Sequence, residues 1–398
     1  MKIQACANIP AIEGGYPVRQ ELLDYSRPHL GEGEMKAALE VLKGKWLTMG
    51  PAVHAFEERF KRWLGTNHAL AVSSGTAALS CATFAAGFGP GDEVITTPMT
   101  FVATANAIVY RGAKPVFADI DPRTLCLDPA AIESRLTSKT RGIIVVHFGG
   151  QPAEMDAILE IASARNLTVI EDACHAPGAA YRGRAVGTLG DMACFSFHPV
   201  KPIATGEGGL IATANEEFAR KMALFRNHGI MREPAPANSW EYDVVTAGEN
   251  YRLSDLHCAI GVVQLERLPE SLERRAQIAA LYDEAFRELD SVELPCRPAH
   301  TKHGWHLYQI LLRLERLRVT RKQIFDALRA ENLGVNVHYI PVHRHSWYRK
   351  EFGSPGGLPH AEGVYERLIT LPLFFGITDQ DAADVIHAVK KVLQYYRA

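Results

Sequence analysis

A single lysine stands between two prolines in Phe195-Ser196-Phe197-His198-Pro199-Val200-Lys201-Pro202-Ile203, and a turn rich in glycine (Gly206, Gly208, Gly209) follows it before the apolar run Leu210 to Thr213. Prolines stiffen the approach, which is not how a solvated lysine on a helix is presented. Inside a cleft such an amine is partly desolvated, which favours its neutral, nucleophilic form and imine formation with an aldehyde. Asp172 closes the apolar run Leu167 to Ile170, at the kind of strand end where ligands of open α/β sheets gather, and His175 follows it. A carboxylate there can hold a protonated heteroaromatic nitrogen; its plainer role is to cap a turn, and Glu171 beside it reads as structural. A third run, Ser73-Ser74-Gly75-Thr76-Ala77-Ala78-Leu79, leads from the apolar stretch His68 to Val72 into a helix. Free N–H groups at that helix end, with Gly75 permitting close approach, make a cup for a phosphate; taken alone, the same residues could be no more than an N-cap.

A phosphate, a ring nitrogen that must stay protonated and an aldehyde that captures a lysine occur together in pyridoxal phosphate. A P-loop or dinucleotide fingerprint does not fit, because the glycines after Lys201 precede a strand and not a helix. From about Asp24 to the C-terminus the chain resembles fold-type-I aminotransferases, and specifically the DegT-type sugar aminotransferases. The resemblance rests on Gly50-Pro51 after Trp46-Leu47-Thr48, on SSGTAAL, PMTFVATANA, the DACHA run, SFHPVKPIATGEGG, ENYRLSD and VHYIPVH. Within that family, SFHPVKPI-T-GEGG and VHYIPVH are most similar to the transaminases of pseudaminic acid biosynthesis, which make UDP-4-amino-4,6-dideoxy-N-acetyl-β-L-altrosamine by aminating C4 of a UDP-linked 4-keto-6-deoxy sugar. Pro177 departs from those enzymes, and Glu13-Gly14-Gly15-Tyr16-Pro17-Val18-Arg19 resembles aminotransferases of antibiotic and aminocyclitol pathways. A GDP- or dTDP-linked keto sugar or an aminocyclitol therefore stays open as the substrate, and so does entry of the amino group at C3.

The resemblance implies roles residue by residue. Lys201 would form the imine and then shuttle the proton, and Asp172 would pair with the pyridinium nitrogen. Ser74, Gly75, Thr76 and Ser196 would bind the phosphate, and Phe101 and His175 would border the ring. Asn250 would reach the phosphate from the opposite subunit, which implies a homodimer with a shared site. Tyr25, Lys45, Trp46, Leu47, Thr48, Arg252, Asn336, Val337, His338 and Tyr339 would meet the sugar nucleotide, aromatic faces suiting sugar and uracil rings and cations suiting a diphosphate. L-Glutamate would give the amino group through pyridoxamine phosphate and leave as 2-oxoglutarate. A sugar 3-dehydratase of the same fold would carry His where Lys201 stands, and a non-catalytic regulator should have lost Lys201, Asp172 or Ser196.

These residues need a scaffold. Short β-rich runs, His68 to Ser73, Glu93 to Thr97, Pro115 to Asp119, Gly142 to His147, Leu167 to Glu171 and Ala193 to Phe197, alternate with helix-length stretches such as Met155 to Arg165. That pattern predicts an α/β large domain over 31–264 with a mostly parallel mixed sheet. An arm over 1–30 precedes it. Residues 265–398 read as a smaller α+β domain: a long helix from Gln264, a strand Trp305 to Leu312, a helix Arg321 to Glu331, a strand Gly334 to Ile340 and a last helix from Asp379. Met231 to Gly248 reads as a surface excursion. His147 before Phe148-Gly149-Gly150 reads as closing a turn. His338, His343 and His345 lack a Cys or carboxylate partner at metal-ligand spacing, so no metal is expected.

Composition agrees with a small-molecule enzyme. The 398 residues are 47% hydrophobic and 22% charged, with a formal net charge of -2. This is ordinary for a soluble chain and gives no basic tract for nucleic acid or an anionic membrane. Seven scattered cysteines without CxxC spacing suggest neither a disulfide framework nor a zinc ribbon, and the chain reads as cytoplasmic, without a leader or a spanning segment.

Overall fold

The computed structural model describes residues 8–232, 238, 240–354 and 356–398. Cys6 and part of the expected surface excursion, 233–237 and 239, lie outside the described residues.

The β-rich runs pair as one sheet: β1 (His68–Val72), β2 (Glu93–Thr96), β3 (Lys114–Phe117), β4 (Thr140–Val146), β5 (Thr168–Asp172), β6 (Met192–Ser196) and β7 (Gly209–Thr213). Their spatial order is β1-β7-β6-β5-β4-β2-β3. Pairs from β6 to β3 are parallel, and β7 runs antiparallel to both β1 and β6. Helices cover both faces, which is why these strands are apolar throughout rather than alternating. One face packs on α3 (Gly75–Ala85) and α6 (Glu216–Arg226) through Leu79, Met222 and Phe225. The other packs on α2 (Pro51–Leu64) and α5 (Met155–Arg165) through Phe56, Phe60 and Ile158. The remaining helices used below are α1 (Glu32–Lys43), α4 (Ala103–Val109), α7 (Asp255–Phe286), α8 (Arg321–Ala330) and α9 (Asp379–Tyr395).

The C-terminal part forms a second apolar core. An antiparallel sheet of β8 (Val292–Glu293), β9 (Tyr308–Leu312) and β10 (Leu368–Leu371) packs on α8 and α9. α7 joins the two cores: Cys258, Leu265, Leu268 and Leu272 face the first, and Ile278, Tyr282 and Phe286 face the second. The arm lies on the second core through Leu23 and Val18. It is tied down by the buried Glu331 carboxylate, which accepts from the N–H groups of Ala11 (2.9 Å) and Val18 (2.7 Å) and pairs with buried Lys391 at 3.0 Å.

Two expectations are corrected. The long helix starts at Asp255 and not Gln264, because Ser254 caps it and the Asp255 carboxylate, at its first turn, accepts from Gly50 N–H (2.8 Å) and Ala52 N–H (3.0 Å) at the start of α2. Gly334 to Ile340 is not a strand. Its backbone makes a single bridge, Asn336 with Thr370, and the third ladder strand is Leu368–Leu371 instead. The described part of the Met231 to Gly248 excursion is mostly exposed, and Asp243–Val244 pairs with Ile230–Met231 as a two-stranded ribbon.

Candidate active site

The first turn of α3 is wedged between the strands beside it. Ser74 is extended and caps the helix, its Oγ accepting from Ala77 N–H at 3.1 Å. A Cβ on Gly75 would stand 2.8 Å from Ser196 Cβ and 3.1 Å from Cys174 Sγ, and one on Gly209 would stand 2.3 Å from the Ser74 carbonyl oxygen. Only glycine admits this approach. Gly75 and Thr76 N–H groups, at the positive end of the helix, spend themselves on no protein acceptor among the described residues.

That turn forms one wall of a cavity of about 410 Å³. Asp172, at the carboxyl end of β5, is buried in another wall. Its Oδ2 accepts from Thr104 Oγ1 at 2.7 Å and its Oδ1 from Cys174 N–H at 3.2 Å; Thr100 Oγ1 lies 2.8 Å from that of Thr104 and orients it. Among the described residues no Lys, Arg or His side chain pairs with this carboxylate. A buried carboxylate held by two neutral donors lacks a hydrogen-bonded cation, and a protonated ring nitrogen is a partner that fits it.

Lys201 enters from the loop after β6. Its N–H donates to His198 O at 2.8 Å, Ser26 Oγ donates to Val200 O at 2.9 Å, and Pro202 and Ile203 behind it are buried, so the loop is held on both sides. The side chain borders the cavity and is therefore half-buried by surface area. Desolvation lowers the pKa of its ammonium from the ordinary lysine value, with Cys174 and Asp172 pulling the other way.

His175 is buried against the same cavity. Its Nδ1 accepts from Gly149 N–H at 3.2 Å and its Nε2 lies 3.1 Å from Tyr339 Oη. Burial first, then Lys201, pushes its pKa well below the usual histidine range, and His306, with its ring centroid 4.6 Å away, is pushed down for the same reasons. Burial lowers His338 to about 3; its Nδ1 sits 3.0 Å from Thr370 Oγ1.

Of the residues singled out in the sequence, Ser74, Gly75, Thr76, Phe101, Asp172, His175, Ser196, Lys201, Tyr25, His338 and Tyr339 line this one cavity. Asn336 stands behind His338, with its Nδ2 3.4 Å from His338 Nε2, and Val337 packs on the first core. Lys45, Trp46, Leu47, Thr48, Asn250 and Arg252 do not line the cavity of their own chain. Thr104, Thr100, Cys174 and His306 line or support the site without having been singled out; the first two lie in PMTFVATANA and Cys174 in the DACHA run, so two quoted motifs already held them. Glu171 is structural: it accepts from the N–H groups of Gly187, Leu189 and Gly190 and pairs with buried His147, which also accepts from Ala153 N–H at the turn after β4. His343 pairs with Glu362, away from His338. Among the described residues no group of His, Cys, Asp or Glu converges as a metal site would, and no helix is long and apolar enough to cross a membrane.

Comparison with known proteins agrees with this geometry. The model of the DegT/DnrJ/EryC1/StrS aminotransferase family matches residues 28–390. The spore coat polysaccharide biosynthesis protein SpsC of Bacillus subtilis is 42% identical over 382 residues, covering 94% of this chain and 98% of that protein. Helicobacter pylori PseC, an aminotransferase involved in the biosynthesis of pseudoaminic acid, superposes with a TM-score of 0.88 at 32% identity, over 95% of this chain and 100% of that one. A Streptococcus pneumoniae protein described as a sugar aminotransferase, solved in its PLP form, superposes with a TM-score of 0.88 at 29% identity, over 94% of this chain and 99% of that one. The chain belongs to the DegT/DnrJ/EryC1/StrS aminotransferase family and is a pyridoxal-phosphate-dependent sugar aminotransferase.

Proposed function

We propose that the protein moves the amino group of L-glutamate to the C4 keto group of a nucleotide-linked 4-keto-6-deoxy sugar, with UDP-4-amino-4,6-dideoxy-N-acetyl-β-L-altrosamine as the product. The observation that carries the reading is the convergence of Lys201, an unpaired buried Asp172 and the open N-terminus of α3 on one cavity. Bound pyridoxal phosphate supplies an aldehyde that links amines reversibly and a ring that accepts the electron pair left when a proton departs from the neighbouring carbon.

The chain's own residues do the rest. Gly75 and Thr76 N–H groups, with Ser74 and Ser196 hydroxyls beside them, bind the phosphate, and His175 and Phe101 border the ring. Asp172 keeps a proton on the ring nitrogen, its carboxylate aimed by Thr104 and Cys174. Lys201, with its ammonium destabilised by burial, offers a neutral Nζ as the attachment point. In the first half-reaction Nζ takes the proton from the carbon that bears the donor's amino group, and in the second it delivers one to the sugar carbon that becomes the amine. Tyr25, His338 and Tyr339 line the same cavity and, in this reading, meet the sugar.

The proposal includes a homodimer. Met35, Leu39 and Leu42 form an exposed apolar stripe on α1 that continues into Trp46 and Leu47, and Asn250 lies away from its own chain's cavity. A stripe of that kind is a surface for another chain, and a second copy would bring its own Asn250, Arg252 and residues 45–48 to the site.

The test is to incubate the purified protein with UDP-linked 4-keto-6-deoxy-N-acetylhexosamine and L-glutamate, with dTDP- and GDP-linked keto sugars in parallel. An aminated nucleotide sugar and an equal amount of 2-oxoglutarate are expected from the UDP compound, and none over many turnovers with Lys201→Ala. A deoxygenated product, or amination of only the other nucleotide sugars, would overturn the assignment of reaction or of substrate respectively.

A further inference from the structure

The Phe148-Gly149-Gly150 turn does more than connect β4 to α5. Its middle residue is held on both sides: the Gly149 carbonyl accepts from His306 N–H (3.1 Å) and Leu307 N–H (3.0 Å), and the Gly149 N–H donates to His175 Nδ1. Gly149 has a φ of +64°, and a Cβ there would stand 2.5 Å from Gln309 Nε2, so the direction of its N–H is set by packing that only glycine allows. An amide N–H that points at Nδ1 decides the tautomer. Nδ1 must carry the lone pair, so the neutral ring carries its proton on Nε2. Nε2 faces Tyr339 Oη and donates to it. The phenol oxygen is thereby used as an acceptor, and Tyr339 Oη makes no other hydrogen bond in the protein among the described residues. With that tautomer its own proton is free for an acceptor in the cavity that its ring lines.

We propose that Tyr339 is a specificity residue that acts as an obligate hydrogen-bond donor to an oxygen of the keto substrate, and that Gly149 and His175 are positioning residues that fix the direction of that donor. Burial keeps His175 neutral and the Tyr339 phenol protonated, so the chain of donors holds its sense through the neutral pH range. A site built to donate to a particular oxygen rejects analogues that lack it far more strongly than an apolar wall would. The inference rests on the keto-sugar reading above and adds to it the group that reads the sugar.

The experiment uses the holoenzyme and separates the two half-reactions. Tyr339→Phe should raise KM for the UDP-linked 4-keto-6-deoxy sugar by roughly fivefold to tenfold, the loss expected for one hydrogen bond. It should leave the cofactor absorbance band and the single-turnover rate with L-glutamate within about twofold of wild type, because a hydrogen bond made only to the keto substrate is not used in the first half-reaction. His175→Leu should reproduce the KM effect, the double variant should be no worse than the poorer single one, and His175→Gln, which can place an N–H near the Nε2 position, should recover most of it. An unchanged KM in Tyr339→Phe, or additive effects of the two substitutions, would overturn the proposal. A wild-type protein that reacts with glutamate but aminates no keto sugar would sink the sugar reading and this inference together. Loss of the absorbance band in Tyr339→Phe would count against it, since that assigns Tyr339 to the cofactor instead; the His175 variants, whose side chain borders the ring, are compared by KM at saturating cofactor.

Discussion

His338 shows how the cavity couples to stability one side chain at a time. Its imidazole is buried beside Thr370, and desolvation, with Lys201 adding to it, lowers its pKa to about 3 in the folded protein. In the unfolded chain it returns to about 6.5. Between those values the unfolded state binds the extra proton and the folded state does not, so stability rises with pH and is lost as the pH falls below about 6.5. Equilibrium urea unfolding of the cofactor-free protein at pH 7 and pH 4.5 should therefore show a drop that is smaller in His338→Gln by roughly 2–3 kcal/mol. An equal drop in both proteins would mean that the imidazole is already charged in the native state. At this scale the sequence was informative about residue types and silent about partners. Lys201 and Asp172 stand out because a lysine between prolines and an acid at a strand end are unusual locally. That Thr104 aims Asp172, or that Gly149 fixes His175, depends on contacts between segments far apart in the chain, which no local spacing encodes.

The start of α3 pits two element-level effects against each other. In an isolated helix, Gly75→Ala would be favourable by at most about 1 kcal/mol. Here the new methyl would lie 2.8 Å from Ser196 Cβ and 3.1 Å from Cys174 Sγ, both on elements fixed in the main sheet or just beyond its strand ends, and overpacking of that kind costs about 1–3 kcal/mol. Gly75→Ala should thus lower the thermal midpoint of the cofactor-free protein and speed cofactor loss on dialysis; a raised midpoint would show that the first turn can shift freely. Strands of the main sheet were legible because each is a short β-rich run buried on both faces. α7 was legible only from Gln264 onward: its first turns are packed by α1 and α2, Gly261 sits against the Phe56 ring, and no single apolar stripe marks the face. The segment from Gly334 to Ile340 has strand composition but spends its backbone on Leu23 and Thr370, which leaves His338 and Tyr339 to line the cavity instead of a ladder.

At the scale of the whole molecule, the question is whose Asn250 completes whose site. Asn250 is exposed, its backbone bridged to Asn227, and it is not part of its own chain's cavity wall. If the homodimer proposed above is correct, sedimentation should give twice the 43.9 kDa chain mass, and a complementation experiment distinguishes sharing from mere association. In a mixed dimer of Lys201→Ala and Asn250→Asp chains, a site that draws Asn250 from the partner is intact at one of its two positions: the lysine of the second chain meets the asparagine of the first. The other position carries both substitutions. Random reassortment of the two inactive proteins should then recover about a quarter of wild-type activity, since half of the dimers are mixed and each has one good site. If each chain used its own Asn250, every site in the mixture would carry one substitution and no activity would return. The exposed stripe of Met35, Leu39 and Leu42 supplies the control, because Leu39→Glu should disrupt the dimer, abolish the recovery and leave the monomer folded, as the residue belongs to no apolar core among the described residues.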